Sequence, residues 1–175
     1  WNRKKSSKMK KIIIFILIIC PTLVFTQTKF TFTENGLTPE SLVASIETLS
    51  ESDLHNKTLN WIKTTFKNPK TKINNQIILL TGIKENAIQA DKQYFHMQYT
   101  IKIICKEHQY TFEPLLIKTK TNSKYDMGWN AINLKNGAAF FKKGKPIKKT
   151  KSYVKVIPEV LNELHTSLYN YLTTE

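Results

Sequence analysis

Arginine is nearly missing from this chain: Arg3 is the only one among 175 residues, and lysine supplies the remaining basic charge. Arginine is the side chain best suited to bidentate phosphate recognition. Its scarcity therefore argues against a nucleic-acid reader, despite a formal net charge of +14. Cysteine is almost as scarce, with Cys20 and Cys105 alone. If a leader carrying Cys20 is removed, Cys105 has no partner for an internal disulfide. The 5 glycines form no phosphate-cradling loop, and GxSxG does not occur. The four histidines, His55, His96, His108 and His165, make no HxH or HExxH pattern. No catalytic, cofactor-binding or metal-binding residue is assigned, and no cofactor is expected.

Long hydrophobic runs are absent with one exception. Lys10 and Lys11 precede an apolar run from Ile12 to Phe25, interrupted only by Pro21 and Thr22. That run is shorter than the about 20 residues a membrane-spanning helix needs, and it suits the core of a secretory signal. Met9–Thr26 is read as a cleaved signal peptide, with Val24 and Thr26 as the small residues before the cut. Residues 1–8 are read as upstream sequence or an extended basic leader. An uncleaved anchor and a lipoprotein are the rival readings; Ile19 before Cys20 and Pro21 after it disfavour the lipoprotein. Export to the periplasm, the outer-membrane surface or the medium is expected, with no transmembrane span in the mature chain.

Residues 27–175 are long enough for one domain with its own core. Beyond Thr26, 21 Lys face 13 acidic residues. Eleven of those Lys lie between Lys118 and Lys155, against the single acid Asp126. That stretch suits an anionic surface or glycan as a partner. An exported chain is separated from nucleic acid, so none is expected as a partner.

The pattern predicts a strand at Ser41–Glu47 and then a helix over Ser52–Asn68. Ser50 or Ser52 caps it, Glu51 and Asp53 suit its positive end, and Asn68-Pro69 ends it. Leu54, Thr58, Ile62 and Phe66 form its apolar stripe. A strand over Ile77–Leu80 is expected to stop at Gly82. Lys84-Glu85-Asn86 reads as a turn before a second strand, Ala87–Gln93. In Phe95–Cys105 the odd positions are apolar and the even ones polar apart from Ile104, which argues an antiparallel sheet with one wet face. Glu107-His108-Gln109 turns into Tyr110–Lys118, where Pro114 implies an edge or a bulge. A Lys-rich connection over 119–154 leads to a closing helix at about 156–172, with Pro158 in its first turn.

These residues carry a family resemblance. "SESDLHNKTLNWIKTTFKNPKTKI", "IILLTGIKENAI" and "MQYTIKIICKEHQYTFEPL" resemble a secreted bacterial family of domains of unknown function with a TBP-like (TATA-binding-protein-like) fold. "GWNAINLKNGAAFFKKGK" and the closing helix extend the likeness over nearly all of Phe30–Leu172. The resemblance implies an α+β domain: an antiparallel sheet of four to five strands with two helices on one face. It implies no activity, because the family has none assigned. The expected core includes Leu54, Trp61, Ile62, Phe66, Ile101, Ile103, Leu161, Leu164 and Leu168.

Candidate chemistry is thin. Cys105 shares strand parity with Ile101 and Ile103, so it reads as a buried thiol rather than a nucleophile. His55 and His165 read as polar helix edges. Glu47, Glu51 and Asp53 read as strand-end and helix-start charges. The candidate interaction surface is Trp129, Phe140, Phe141, Lys142 and Lys143, aromatic residues set among lysines; the competing reading has those aromatics covering one end of the sheet. The function expected is a non-enzymatic exported domain that binds a protein, peptide or envelope component. The alternatives are an envelope enzyme without recognisable motifs and a purely structural domain.

Overall fold

The computed structural model describes residues 28–125 and 127–174. The leader expected at Met9–Thr26 and the acid Asp126 lie outside them. The chain runs β1 (Thr31–Thr33), β2 (Gly36–Thr38), β3 (Leu42–Ser45), α1 (Glu51–Thr65), β4 (Lys70–Asn74), β5 (Ile77–Ala90), β6 (Gln93–Lys106) and β7 (Gln109–Thr121). β8 (Asn130–Ile132), a 3-10 turn at Ala138–Phe140, β9 (Phe141–Lys142), β10 (Lys145–Pro146) and α2 (Lys151–Thr173) follow.

One antiparallel sheet has the order β3-β7-β6-β5-β4, and β8 pairs with the far half of β7. The sheet thus has a sixth, short strand beyond the four to five expected. The alternation read in β6 sets the layering: Met97, Tyr99, Ile101, Ile103 and Cys105 are all buried. Across the sheet, Ile78, Ile103, Phe112 and Leu42 stand opposite one another as one buried row. Both helices cover this face. The next row, Ile77, Ile104, Thr111 and Val43, stands on the uncovered face. Ile104, the one break in the alternation, therefore lies between Ile77 and Thr111 on that face.

α1 starts where Ser50 accepts a hydrogen bond from the Asp53 backbone N–H at 3.2 Å. Leu54, Thr58, Trp61 and Ile62 turn inward, while Phe66 closes the helix half-buried with its ring edge-on to Trp61 at 5.1 Å. The Trp61 indole N–H donates to Ser167 Oγ of α2 at 3.0 Å, tying the helices together. Of the other expected core residues, Leu164 is half-buried and the rest are buried.

Three local expectations are corrected. Lys84-Glu85-Asn86 is not a turn: β5 runs straight through it, and the register shifts between Lys84 and Ile88. Asn86 takes a φ of 50° there, a left-handed conformation that suits a bulge as well as a turn. The reversal comes at Asp91-Lys92, both at positive φ (46° and 64°), as a tight two-residue hairpin requires. Gly82 does not end its strand. It stands opposite Tyr99, whose ring fills the space a Cβ would need. α2 begins at Lys151, five residues before the expected start, so Pro158 lies inside the helix and is buried. Tyr153, Val154 and Val156 pack against the core, which explains the added turn.

Pro114 does mark a bulge: the register between β6 and β7 shifts between Thr100 and Ile101. The hairpin turn after β6 is only Glu107-His108, with Gln109 already in β7. Its Glu107 carboxylate accepts from the Glu51 N–H at 3.1 Å and so sits at the positive end of α1. The long connection is pinned to the β1–β2 hairpin. Leu37 N–H donates to the Leu134 carbonyl at 2.7 Å, and Gly137 N–H donates to the Glu34 carbonyl at 2.9 Å. Gly137 is confined there because a Cβ would meet the Thr33 carbonyl.

Candidate functional site

The five residues of the expected interaction surface fall in three places. Trp129 is half-buried immediately before β8. Phe140 ends the 3-10 turn with its ring edge-on to Phe32 at 5.4 Å and tilted on Tyr153 at 5.9 Å. Phe141 is half-buried against the core. Lys142 and Lys143 are exposed in the β9–β10 hairpin. The phenylalanines anchor the connection under α2, so what the hairpin offers solvent is mainly lysine: Lys142, Lys143, Lys145 and Lys148 flank a shallow hollow over Pro146 and Ile147.

The better-formed concavity lies elsewhere. A groove of about 700 Å³ runs between the outer edge of β3 and the C-terminal half of α2. Its β3 wall is Ser41–Ser45; Glu47 extends it, and His165 and Tyr169 form the α2 wall. Volumes of this order are usual for ligand sites. Sequence spacing alone gave no sign of the groove, because its walls are more than a hundred residues apart in the chain.

His165 is not on a polar helix edge. It is 4% exposed, with Nε2 3.2 Å from the Tyr110 hydroxyl and its ring edge-on to Phe112 at 5.4 Å. Burial lowers its pKa from 6.5 to about 4, so the ring is neutral at pH 7. The signal was in the spacing: His165 follows Leu161 by four residues and precedes Leu168 by three, which places it in the apolar stripe. His55 is also drawn in. It is half-buried, and its Nε2 is shielded with no hydrogen-bond partner among the described residues. His108 stays in the exposed hairpin turn, with Nδ1 3.1 Å from the Leu49 carbonyl oxygen. His96 lies over the β5 bulge, where its Nδ1 accepts from the Asn86 N–H at 3.3 Å.

Cys105 is fully buried beside Thr58, and burial raises its thiol pKa to about 11. Burial likewise raises the Tyr99 phenol to about 12 and raises that of Tyr110 well above its usual range. Each of these groups is held in its neutral form. A general acid or base needs a pKa close to the working pH, and none of them has one. Among the described residues no three His, Cys, Asp or Glu side chains gather as a metal site. No described helix is long and apolar enough to cross a membrane.

No family model matches the chain, and no curated protein matches it. Solved structures do. A TBP-like protein from Parabacteroides distasonis ATCC 8503 superposes with a TM-score of 0.60 at 17% identity, over 77% of this chain and 92% of that one. A DUF4468 family protein from Bacteroides ovatus ATCC 8483 does so with a TM-score of 0.57 at 10% identity, over 77% and 85%. At such identities the likeness concerns the fold and carries no ligand with it. The chain is an α+β domain of TBP-like fold, the architecture that its resemblance to the bacterial domains of unknown function implied.

Proposed function

We propose that this domain is a non-enzymatic exported module that binds a protein or peptide of the cell envelope. One observation carries the binding half. The best-formed groove is walled by a sheet edge and by the buried, neutral His165, with Glu47 as its one acid. Such a lining suits recognition and lacks the paired acid and base that catalysis needs. Export is supported by the Lys10-Lys11 pair followed by the apolar run Ile12–Phe25.

Photo-cross-linking from Val43 in living cells, followed by mass spectrometry, tests both halves. The expected product is a specific adduct with an envelope protein or peptide. Adducts with cytoplasmic proteins only would refute export. A hydrolytic or transferase activity abolished by His165→Gln would make the domain an enzyme.

A further inference from the structure

We propose that the outer edge of β3 is a strand-addition site, where an extended peptide pairs with the backbone of Val43 and Ser45 and sends alternate side chains into the groove under α2. The inference rests on the binding reading above and names its ligand class.

The backbone pattern supports it first. In an antiparallel pair, residues alternate between bonding their partner strand and facing away from it. The Ile46 N–H donates to the His108 carbonyl at 2.7 Å, so Ile46 faces β7. By alternation Ala44 and Leu42 also face β7, opposite Tyr110 and Phe112. Val43 and Ser45 therefore point their N–H and C=O groups outward, where the sheet order puts no further strand among the described residues. Val43 is 61% exposed. An edge of this kind is a template for another chain.

The groove supplies the second half. It adjoins these same residues and lies on the face where Leu42 and Ala44 project, opposite His165 and Tyr169. A peptide added to β3 has period-2 side chains, so every second one enters this groove. The edge from Ser41 to Ile46 carries no charge, and the ring of His165 is neutral. Uncharged, mainly apolar residues thus fit the inward positions. Glu47 at one end adds a preference for a terminal Lys or Arg. A second copy of this chain is a poorer occupant, because the lysine excess sets copies against each other.

The test uses a displayed library of random decapeptides selected on the protein, followed by synthetic versions of the enriched peptides. Val43→Pro removes an outward N–H that the β7 ladder does not use, so the sheet should survive. The expected result is enrichment of peptides with alternating apolar residues. Their affinity should fall at least tenfold on Val43→Pro, and likewise when the peptide backbone is N-methylated at alternate positions. The N-methylated peptides keep the test valid if Val43→Pro unfolds the domain. No enrichment overturns the strand-addition site. Peptides that bind both proteins equally and tolerate N-methylation also overturn it, while leaving a binding module with its site elsewhere. A dimer of the unliganded protein that Val43→Pro dissolves would assign the edge to a second copy and overturn the peptide reading.

Discussion

The two edges of the sheet are built differently. β4, at one end, reads Lys70-Thr71-Lys72-Ile73-Asn74 and is exposed along its whole length. Cys105 N–H donates to the Gln76 carbonyl at 3.1 Å, so alternation along β5 makes Lys70, Lys72 and Asn74 bond to β5 and turns the backbone of Thr71 and Ile73 outward. Two lysines flank those outward groups, a common protection of a free edge against pairing with other chains. β3, at the opposite end, reads Leu42-Val43-Ala44-Ser45 and has no charge at all. It also borders the groove, and the buried His165 forms part of the facing wall. One edge is guarded and the other is open beside a cavity. The same backbone chemistry is present at both, so side chains decide which edge is open to pairing.

Changes to the scaffold that both edges share should give the largest effects. Trp61→Ala removes a buried ring together with its bond to Ser167, and should cost about 3–5 kcal/mol in urea unfolding. An unchanged midpoint would mean that the helices do not hold the sheet in the way described. The next effect belongs to the β3 side. His165 is neutral when folded and takes up a proton near pH 6.5 when unfolded. The unfolded state then binds more protons, so stability should decline as pH falls from about 6.5 towards 4. In the double variant His165→Phe/Tyr110→Phe that part of the slope should vanish, as read by melting temperature across the same range. A smaller loss, about 0.5–2 kcal/mol, is expected for Ser50→Ala, which removes the α1 cap without touching either edge. The smallest change in stability belongs to β4. Lys70→Thr with Lys72→Thr should alter the melting temperature little yet raise self-association in sedimentation, because the guarded edge then resembles the open one.

Much of this fold could be read from residues. The odd positions of β6 are inside as their alternation required, Pro114 marks a bulge, and the segment after Ser50 is a helix that buries Trp61. β4 was not foreseen because an edge strand this polar lacks the apolar alternation that marks a strand. Asn86 signals a turn in the sequence yet forms a bulge, because left-handed backbone serves both. The start of α2 was hidden by Lys151 and Lys155, charges that here lie on the wet side of a helix. The polarity of His165 points outward, while its spacing in the apolar stripe places it inside, where it is buried. The groove itself could not be read in one dimension: its β3 and α2 walls are more than a hundred residues apart in the chain and face each other only in the fold. The sequence pointed instead to the aromatic residues near Lys142 and Lys143, of which Phe140 and Phe141 anchor the connection to the core.

The contrast between the edges can be measured with one peptide and two prolines. Val43→Pro blocks an outward N–H on β3, and Thr71→Pro blocks the matching one on β4. Calorimetric titration of a library-selected peptide into both variants and the parent protein compares the edges directly. Pairing at β3 requires at least tenfold weaker binding to Val43→Pro and unchanged binding to Thr71→Pro. Equal affinity for all three proteins, or a loss confined to Thr71→Pro, would contradict it.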